Sequence, residues 1–379
     1  MTTVPGQCWQ VAAGDTNRNY ADLCLRHGAI MMGPGSCGSW RDSLSRKTLL
    51  AEGWSSRKIT NLDLFCNSIK PGDMIVMRLG TSEVHGVGIV RGSYEHSEFF
   101  ADVDGWDLNH YFRVEWIWGK PNGKPEVFKG ALNFGDTTQR LFRSEKTESL
   151  FQWIERLPDS KGTPLQDLKT PGHSITPADI SRRLFEYGVS SSSLSCLESS
   201  IKDLCSLAQW YEKYQVDPSE RETVAHLVVP LLTALGWTPQ TIKLELPLKG
   251  IGSADLALYA NGNRRDYEPI VILEAKKFGS SCLTADAQAR AYAAKLRNVR
   301  RLIVTDGIRY GVFISDPVQP IFSCDPNAYL NLANLRDCYP AYGNCQGGDE
   351  AMLYMSSSWS HSVTHPAMRP TSEKIPEEV

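Results

Sequence analysis

Three residues in the second half of the chain have the types and spacing of a hydrolytic site: Asp255, Glu274 and Lys276. Asp255 interrupts the apolar run Ala254-Asp255-Leu256-Ala257-Leu258-Tyr259, and Glu274 closes a second run, Pro269-Ile270-Val271-Ile272-Leu273-Glu274. Lys276 follows two residues later, so in an extended strand it shares a face with Glu274. A hairpin turning at Asn261-Gly262-Asn263 would bring Asp255 beside them. Two carboxylates converging on one point repel unless a divalent cation sits between them. Hard oxygen ligands suit Mg²⁺, with Mn²⁺ expected to substitute. A lysine beside such an ion can orient or help deprotonate a water, while the ion offsets charge developing on a phosphodiester. The plainer alternative is two strand-end carboxylates paired with Lys276 and Lys277.

The flanking segments predict the elements that would hold these groups. A helix is expected from near Ser219 to Leu235, with Ser219 as N-cap and Gly236 as stop. Its apolar residues Val224, Leu227, Val228, Leu231, Leu232 and Leu235 recur at three and four. Pro230 inside it should cost a hydrogen bond and bend it. Ile242-Lys243-Leu244-Glu245-Leu246 alternates like a strand, a second helix covers about 285–296, and Leu302-Ile303-Val304-Thr305 reads as a buried strand. The order is helix, three strands, helix, strand, an α/β arrangement.

This set resembles the PD-(D/E)xK nuclease superfamily, and is most similar to the nuclease domain of type I restriction enzyme R subunits. The resemblance is carried by Gly252-Ser253-Ala254-Asp255-Leu256-Ala257-Leu258 and Val271-Ile272-Leu273-Glu274-Ala275-Lys276-Lys277. It extends to Pro230-Leu231-Leu232, Leu235-Gly236-Trp237, Gln288-Ala289-Arg290-Ala291-Tyr292 and Ile303-Val304-Thr305-Asp306-Gly307, about a quarter of the chain. The usual proline before the first aspartate is replaced by Ser253-Ala254. The resemblance implies that Asp255, Glu274 and the Ala275 carbonyl ligate Mg²⁺ and that Lys276 positions the attacking water. It implies a carboxylate from the start of the first helix, Glu220 with Glu222 as rival. Gln288 and Tyr292 match a QxxxY element that lines the site near the substrate; as an alternative, Tyr292 is simply core. Lys277 is expected as a further substrate contact. From Lys243 to Arg309 there are twelve Lys and Arg against seven Asp and Glu, a local excess of five. Arg264, Arg265, Arg297, Arg300 and Arg301 would supply a phosphate-binding face.

Residues 1–140 differ, being rich in Gly, Trp and short alternating runs. Met74-Ile75-Val76-Met77-Arg78 follows the turn signal Pro71-Gly72-Asp73, and Val84–Val90 and Phe112–Trp118 read as strands. A small β-barrel or curled sheet with a few helices is expected. Lys70-Pro71-Gly72-Asp73-Met74-Ile75-Val76-Met77, Val87-Gly88-Ile89-Val90 and Trp9-Gln10-Val11-Ala12-Ala13-Gly14 resemble PUA-like barrels of the EVE type. That resemblance implies an aromatic pocket for a flipped, modified base. Trp40, Tyr94, Trp106 and Trp116 are candidate walls, with Trp116 most suited to the core. Asn17, Arg18, Asp104 and Asp107 are candidate readers of polar edges.

Between these halves, residues 141–218 are expected to form a helical linker. The nuclease domain would span 219–338, and the polar segment 339–379 is expected to be a disordered tail. The whole reads as an α+β PUA-like, β-barrel-like domain, a helical linker and an α/β PD-(D/E)xK domain. The net charge of -3 argues against non-specific nucleic-acid binding by the whole molecule, so any such partner needs a local basic surface. Ten cysteines without a CxxC pair argue against structural zinc and for free thiols in a cytoplasmic setting. No signal peptide and no membrane span are read. The expected function is Mg²⁺-dependent DNA cleavage directed by a modified base, in restriction or anti-phage defence. The expected partner is DNA, with a homodimer expected where both strands are cut. The alternatives are a nuclease gated by a small nucleotide ligand and a catalytically silent DNA-binding module.

Overall fold

The structure, a computed structural model, describes residues 6–15, 18–41, 43–132, 136–157, 165, 167–189, 194, 196–260, 268–315 and 321–359. The chain divides into two compact units, Met1–Pro171 and Gly172–Val379, each of mixed α and β structure.

In the first unit eight strands form one curled sheet: β1 (Cys8–Ala12), β2 (Ala29–Met32), β3 (Met74–Leu79), β4 (Glu83–Val90), β5 (Glu95–His96), β6 (His110–Trp118), β7 (Glu126–Val127) and β8 (Thr138–Arg140). The order is β2-β6-β4-β3-β1-β8, with β5 on β6 and β7 on β4. β1 and β3 pair in parallel, and the other pairs are antiparallel. Register shifts at Met77/Arg78 and Val87/Gly88 add bend. The end strands approach closely enough for Thr138 Oγ1 to donate to Met32 Sδ at 3.7 Å. The result is a half-barrel. Asp73, from the Pro-Gly-Asp turn, accepts from Trp9 Nε1 at 2.8 Å and from the Lys70 and Gln7 amides, which ties β1 to β3.

Helices α1 (Ala21–His27), α2 (Ser43–Ala51), α3 (Ser56–Ser68) and α4 (Glu148–Glu155) complete this unit. Leu150 and Ile154 of α4 share a core with Val76, Val84, Val87 and Leu141. The segment expected as a linker therefore starts inside the first unit. The helical periodicity was legible, but the partner of its apolar face was not.

In the second unit α5 (Pro177–Glu186) and α6 (Leu197–Tyr214) bury Ile180, Leu184, Ile201, Leu204 and Ala208 in the same core as the second sheet. The sheet contains β9 (Ile242–Leu248), β10 (Gly252–Leu258), β11 (Val271–Ala275), β12 (Arg301–Thr305), β13 (Arg309–Ile314) and β14 (Ala328–Asn331), in the order β14-β13-β12-β11-β10-β9. Only β11 and β12 pair in parallel; between them runs α9, Asp286–Ala293 in a chain where α7 is Glu220–Thr223 and α8 is Val229–Ala234.

A π turn at Val224–Val228 joins α7 to α8, and the Val229 amide donates to the Val224 carbonyl five residues back. Proline cannot donate to an α-helical ladder, and a widened turn just before Pro230 accommodates that loss. Gly307 (φ +87°) lies where a Cβ would come within 2.4 Å of Thr223 Cγ2, so a side chain there would push away the helix that begins at Glu220.

The expectation of disorder from 339 onward does not hold for its first part. Helix α10 (Gly348–Met355) buries Ala351, Met352, Leu353, Tyr354 and Met355, and Trp359 is buried with them. Trp237 Nε1 donates to the Met355 carbonyl at 2.7 Å. Gly, Asn and Gln residues before it and Ser residues after it mask this apolar run in the sequence. Residues 360–379 lie outside the described residues, as do Asn17, Arg264, Arg265, the 261–263 turn and Ser190–Ser193. No helix among the described residues is long and apolar enough to cross a membrane.

Candidate active site

The strand register assembles the site. β10 and β11 pair Leu256 with Leu273 and Ala257 with Ile272, so the next position sets Asp255 opposite Glu274. Directly opposed residues of an antiparallel pair point to the same face. Asp255 Oδ2 accepts the Ala275 amide at 2.7 Å, which fixes the first carboxylate against the end of β11. Glu274 is only 2% exposed. Its Oε1 lies 3.8 Å from Lys276 Nζ, and its buried Oε2 has no hydrogen-bond partner.

Burial pushes the Glu274 carboxyl up to about 7, helped by the Asp255 charge and opposed by Lys276. Burial also raises Asp255, against the Ala275 amide and Lys276, which favour its charged form. Lys276 is held in turn: its amide donates to the Thr305 carbonyl at 2.7 Å and its Nζ to Gln288 Oε1 at 3.1 Å. Gln288 Nε2 then donates to Tyr292 OH at 2.8 Å. Tyr292 itself is buried, its hydroxyl held by Gln288. Lys277 Nζ is paired with Asp217.

The two helix carboxylates separate clearly. Glu222 is taken up by a capping box with Ser219, whose amide donates to its Oε2 at 2.8 Å and whose hydroxyl accepts the Glu222 amide. Glu220 is free of the cap. Burial raises its carboxyl, with Asp255 adding to the rise and Lys276 opposing it, so Glu220 is the one in electrostatic reach of the site.

Among the described residues, no three His, Cys, Asp or Glu side chains stand close enough to enclose a metal ion. Two adjacent carboxylates, one with a buried oxygen lacking a partner, fit instead an ion that keeps much of its water. Mg²⁺ commonly binds in this way, through one or two carboxylates. The expected basic face is smaller than its charge count. Arg301 is buried in β12, Arg309 pairs with Asp306 and Glu212, and Arg290 pairs with Asp286. Arg297 stays exposed. Burial of β12 on both faces and the local ion pairs could not be separated from a surface patch by counting.

In the first unit three of the four candidate pocket walls, Trp40, Tyr94 and Trp116, are buried. Trp40 and Tyr94 are both buried; the Trp40 amide donates to Tyr94 OH at 2.9 Å, Trp40 Nε1 donates to Asp63 Oδ1 at 3.0 Å, and Tyr94 OH bonds His110 Nδ1 at 2.7 Å. Trp116 is core as well, with Nε1 donating to the Cys24 carbonyl. Trp106 does border a cavity, of about 430 Å³, shared with Tyr20, Trp54, Lys58 and Asp107. The Arg18 guanidinium lies 4.8 Å from the Trp106 ring centre, and Lys58 Nζ lies 4.8 Å from that of Trp54. Asp104 is buried, leaving Asp107 at the cavity. Tyr20 and Trp54 line the same cavity without a sequence signal: Trp54 stands alone before an amphipathic helix, and nothing local marks it as sharing a cavity with Trp106.

Residues 9–139 match a family described as a domain of unknown function (DUF8426). No curated protein matches the chain. Among solved structures, the chain is similar to a fragment described as the HsdR subunit of a type I restriction enzyme from Vibrio vulnificus YJ016. The identity is 22% and the TM-score 0.23, over 29% of this chain and 24% of that one. It is also similar to the YTH domain of the Zygosaccharomyces rouxii MRB1 protein, solved with N6-methyladenosine RNA. There the identity is 15% and the TM-score 0.24, over 42% of this chain and 94% of that one. The match takes in about a quarter of the restriction-subunit fragment.

Proposed function

We propose that the second unit is a PD-(D/E)xK-type, divalent-cation-dependent nuclease that hydrolyses DNA phosphodiesters, and that the first unit directs it by holding a modified base. The observation that carries the first part is the buried Glu274 oxygen without a partner, beside Asp255 and Lys276. Leaving a buried carboxylate oxygen unpaired is costly, and a cation removes that cost. Asp255 and Glu274 would hold Mg²⁺ or Mn²⁺, with the Ala275 carbonyl as a further donor. When bound, the ion supplies charge neutralisation at the phosphoryl oxygens and a lower pKa for water.

The remaining work falls to this chain's own groups. Lys276 Nζ, fixed by Gln288, donates to and orients the attacking water or a phosphate oxygen. Asp255, fixed by the Ala275 amide, stays in the orientation that meets Glu274. Glu220 adds a carboxylate at the helix start, where it can accept a proton from water. Lys277, once released from Asp217, is a point charge for the backbone phosphates.

In the first unit the cavity bordered by Trp54, Trp106 and Tyr20 offers stacking surfaces, with Asp107 for a polar edge and Arg18 and Lys58 beside the rings. A free nucleotide would use the same stacking and cationic groups, so the ligand-gated alternative predicts the same cavity and a different trigger.

The test is a cleavage panel of unmodified, methylated, hydroxymethylated and glucosylated DNA with Mg²⁺ or Mn²⁺. Asp255→Asn and Lys276→Ala should lose at least ~100-fold in rate. Cutting undiminished in both variants contradicts the site. Cleavage of plain DNA only after a nucleotide is added selects the gated alternative. No cleavage of any substrate and no Mn²⁺ binding would leave a silent binding module.

A further inference from the structure

The acidic row does not end at Asp255. β9 and β10 pair Ala254 with Leu246 and Leu256 with Leu244, so the position between them sets Glu245 opposite Asp255. Across three strands the row reads Glu245, Asp255, Glu274. Glu245 sits there at two costs. Its backbone is left-handed, with φ of +50°, a conformation that favours glycine or asparagine. It also places a carboxylate across from a carboxylate, and like charges opposed in a sheet repel. The regular alternation of β9 breaks at this point, with Leu244 and Glu245 both exposed. Arg221, next to Glu220, places Nη2 3.9 Å from Glu245 Oε1.

We propose that Glu245 is a further positioning residue of the cation site, extending the row so that it holds the water shell of the ion bound at Asp255 and Glu274, with Arg221 as the counter-ion it gives up when the ion enters. This rests on the cation-dependent reading given above. The independent sign of a ligand in the same row is the buried Glu274 Oε2 that lacks a partner. A cation there offsets the repulsion between Glu245 and Asp255 and gives the exposed Glu245 carboxylate something to bind through water. β9 is also the sheet edge, and an edge strand gains protection from a kink and a charge. That simpler role makes no claim on ion affinity, so the two can be separated.

The experiment is Mn²⁺ affinity of the full chain by calorimetry and by Mn²⁺ electron paramagnetic resonance, without DNA. Glu245→Gln keeps the side-chain size and removes the charge; it should weaken Mn²⁺ binding about three- to tenfold. Glu245→Gly should weaken it similarly while raising the melting temperature by about 2–4 °C, because glycine accepts the left-handed backbone. Arg221→Ala should tighten binding about two- to threefold. Wild-type affinity in both Glu245 variants overturns the inference and leaves an edge-strand kink. If the wild type binds no Mn²⁺, or Asp255→Asn and Glu274→Gln bind it as the wild type does, the cation-site reading fails and this inference falls with it.

Discussion

Two buried carboxylates in the second unit stand in contrast. Asp306, just after β12, is fully buried and fully satisfied: Oδ1 accepts the Ile308 and Arg309 amides at 3.1 and 2.7 Å, and Oδ2 accepts Arg309 Nη1 at 3.0 Å. Arg309 goes on to Glu212 on α6 at 2.9 Å. Glu274, one strand away and almost as buried, has one oxygen near Lys276 and the other with no partner. The first arrangement is closed by the protein's own donors and locks a turn to a helix. The second is held open, next to another carboxylate. Burial alone therefore does not mark a functional acid; burial with unmet hydrogen-bonding capacity does.

The largest effect that sharpens this contrast should come from breaking the closed network. Asp306→Ala removes one of the two carboxylates paired with buried Arg309, and the acceptor of the Ile308 and Arg309 amides, and should cost roughly 3–5 kcal/mol, read as a lower denaturation midpoint. The open acid should behave oppositely. The Glu274 carboxyl is raised from an ordinary 4.5 to about 7 in the folded chain. Below pH 4.5 folded and unfolded states both hold the proton. Between 4.5 and 7 the folded state keeps a proton that the unfolded state releases, so stability falls as pH rises through this window. Glu274→Gln has no such group. It should be more stable than the wild type by roughly 1–3 kcal/mol above pH 7, with the difference closing below pH 4.5, in melts without divalent ions. Equal pH profiles would remove the claim that this acid is strained.

A smaller effect separates the two helix carboxylates. Glu220→Gln should lower the cleavage rate about tenfold, whereas Glu222→Gln should leave it within about twofold, since Glu222 serves the cap. The smallest effect is on the cap itself: Ser219→Ala should cost about 1 kcal/mol in chemical denaturation with little change in cleavage.

The same contrast explains how much was legible in the sequence. Asp255, Glu274 and Lys276 announce themselves because each breaks or ends an apolar strand, and period two sets their faces. Ser219, the helix after it and the strand order up to β12 follow from capping residues and periodicity. The pairing that carries Arg309 on to α6 is not legible, since Glu212 lies 97 residues away in the chain. Arg301 looked like a surface charge because a strand buried on both faces gives no alternation. Trp40 and Tyr94 looked like pocket walls because composition cannot tell a stacked core from an open cavity. The left-handed backbone at Glu245 leaves no trace in a strand whose letters still alternate.

The central claim is that the open acid waits for a cation, and thermal melting of the wild type and Glu274→Gln at pH 8, each with and without Mg²⁺, tests it most directly. Without Mg²⁺ the variant should melt higher; Mg²⁺ should then raise the wild type and leave the variant unmoved. An equal Mg²⁺ shift in both proteins, or none in either, would contradict the account.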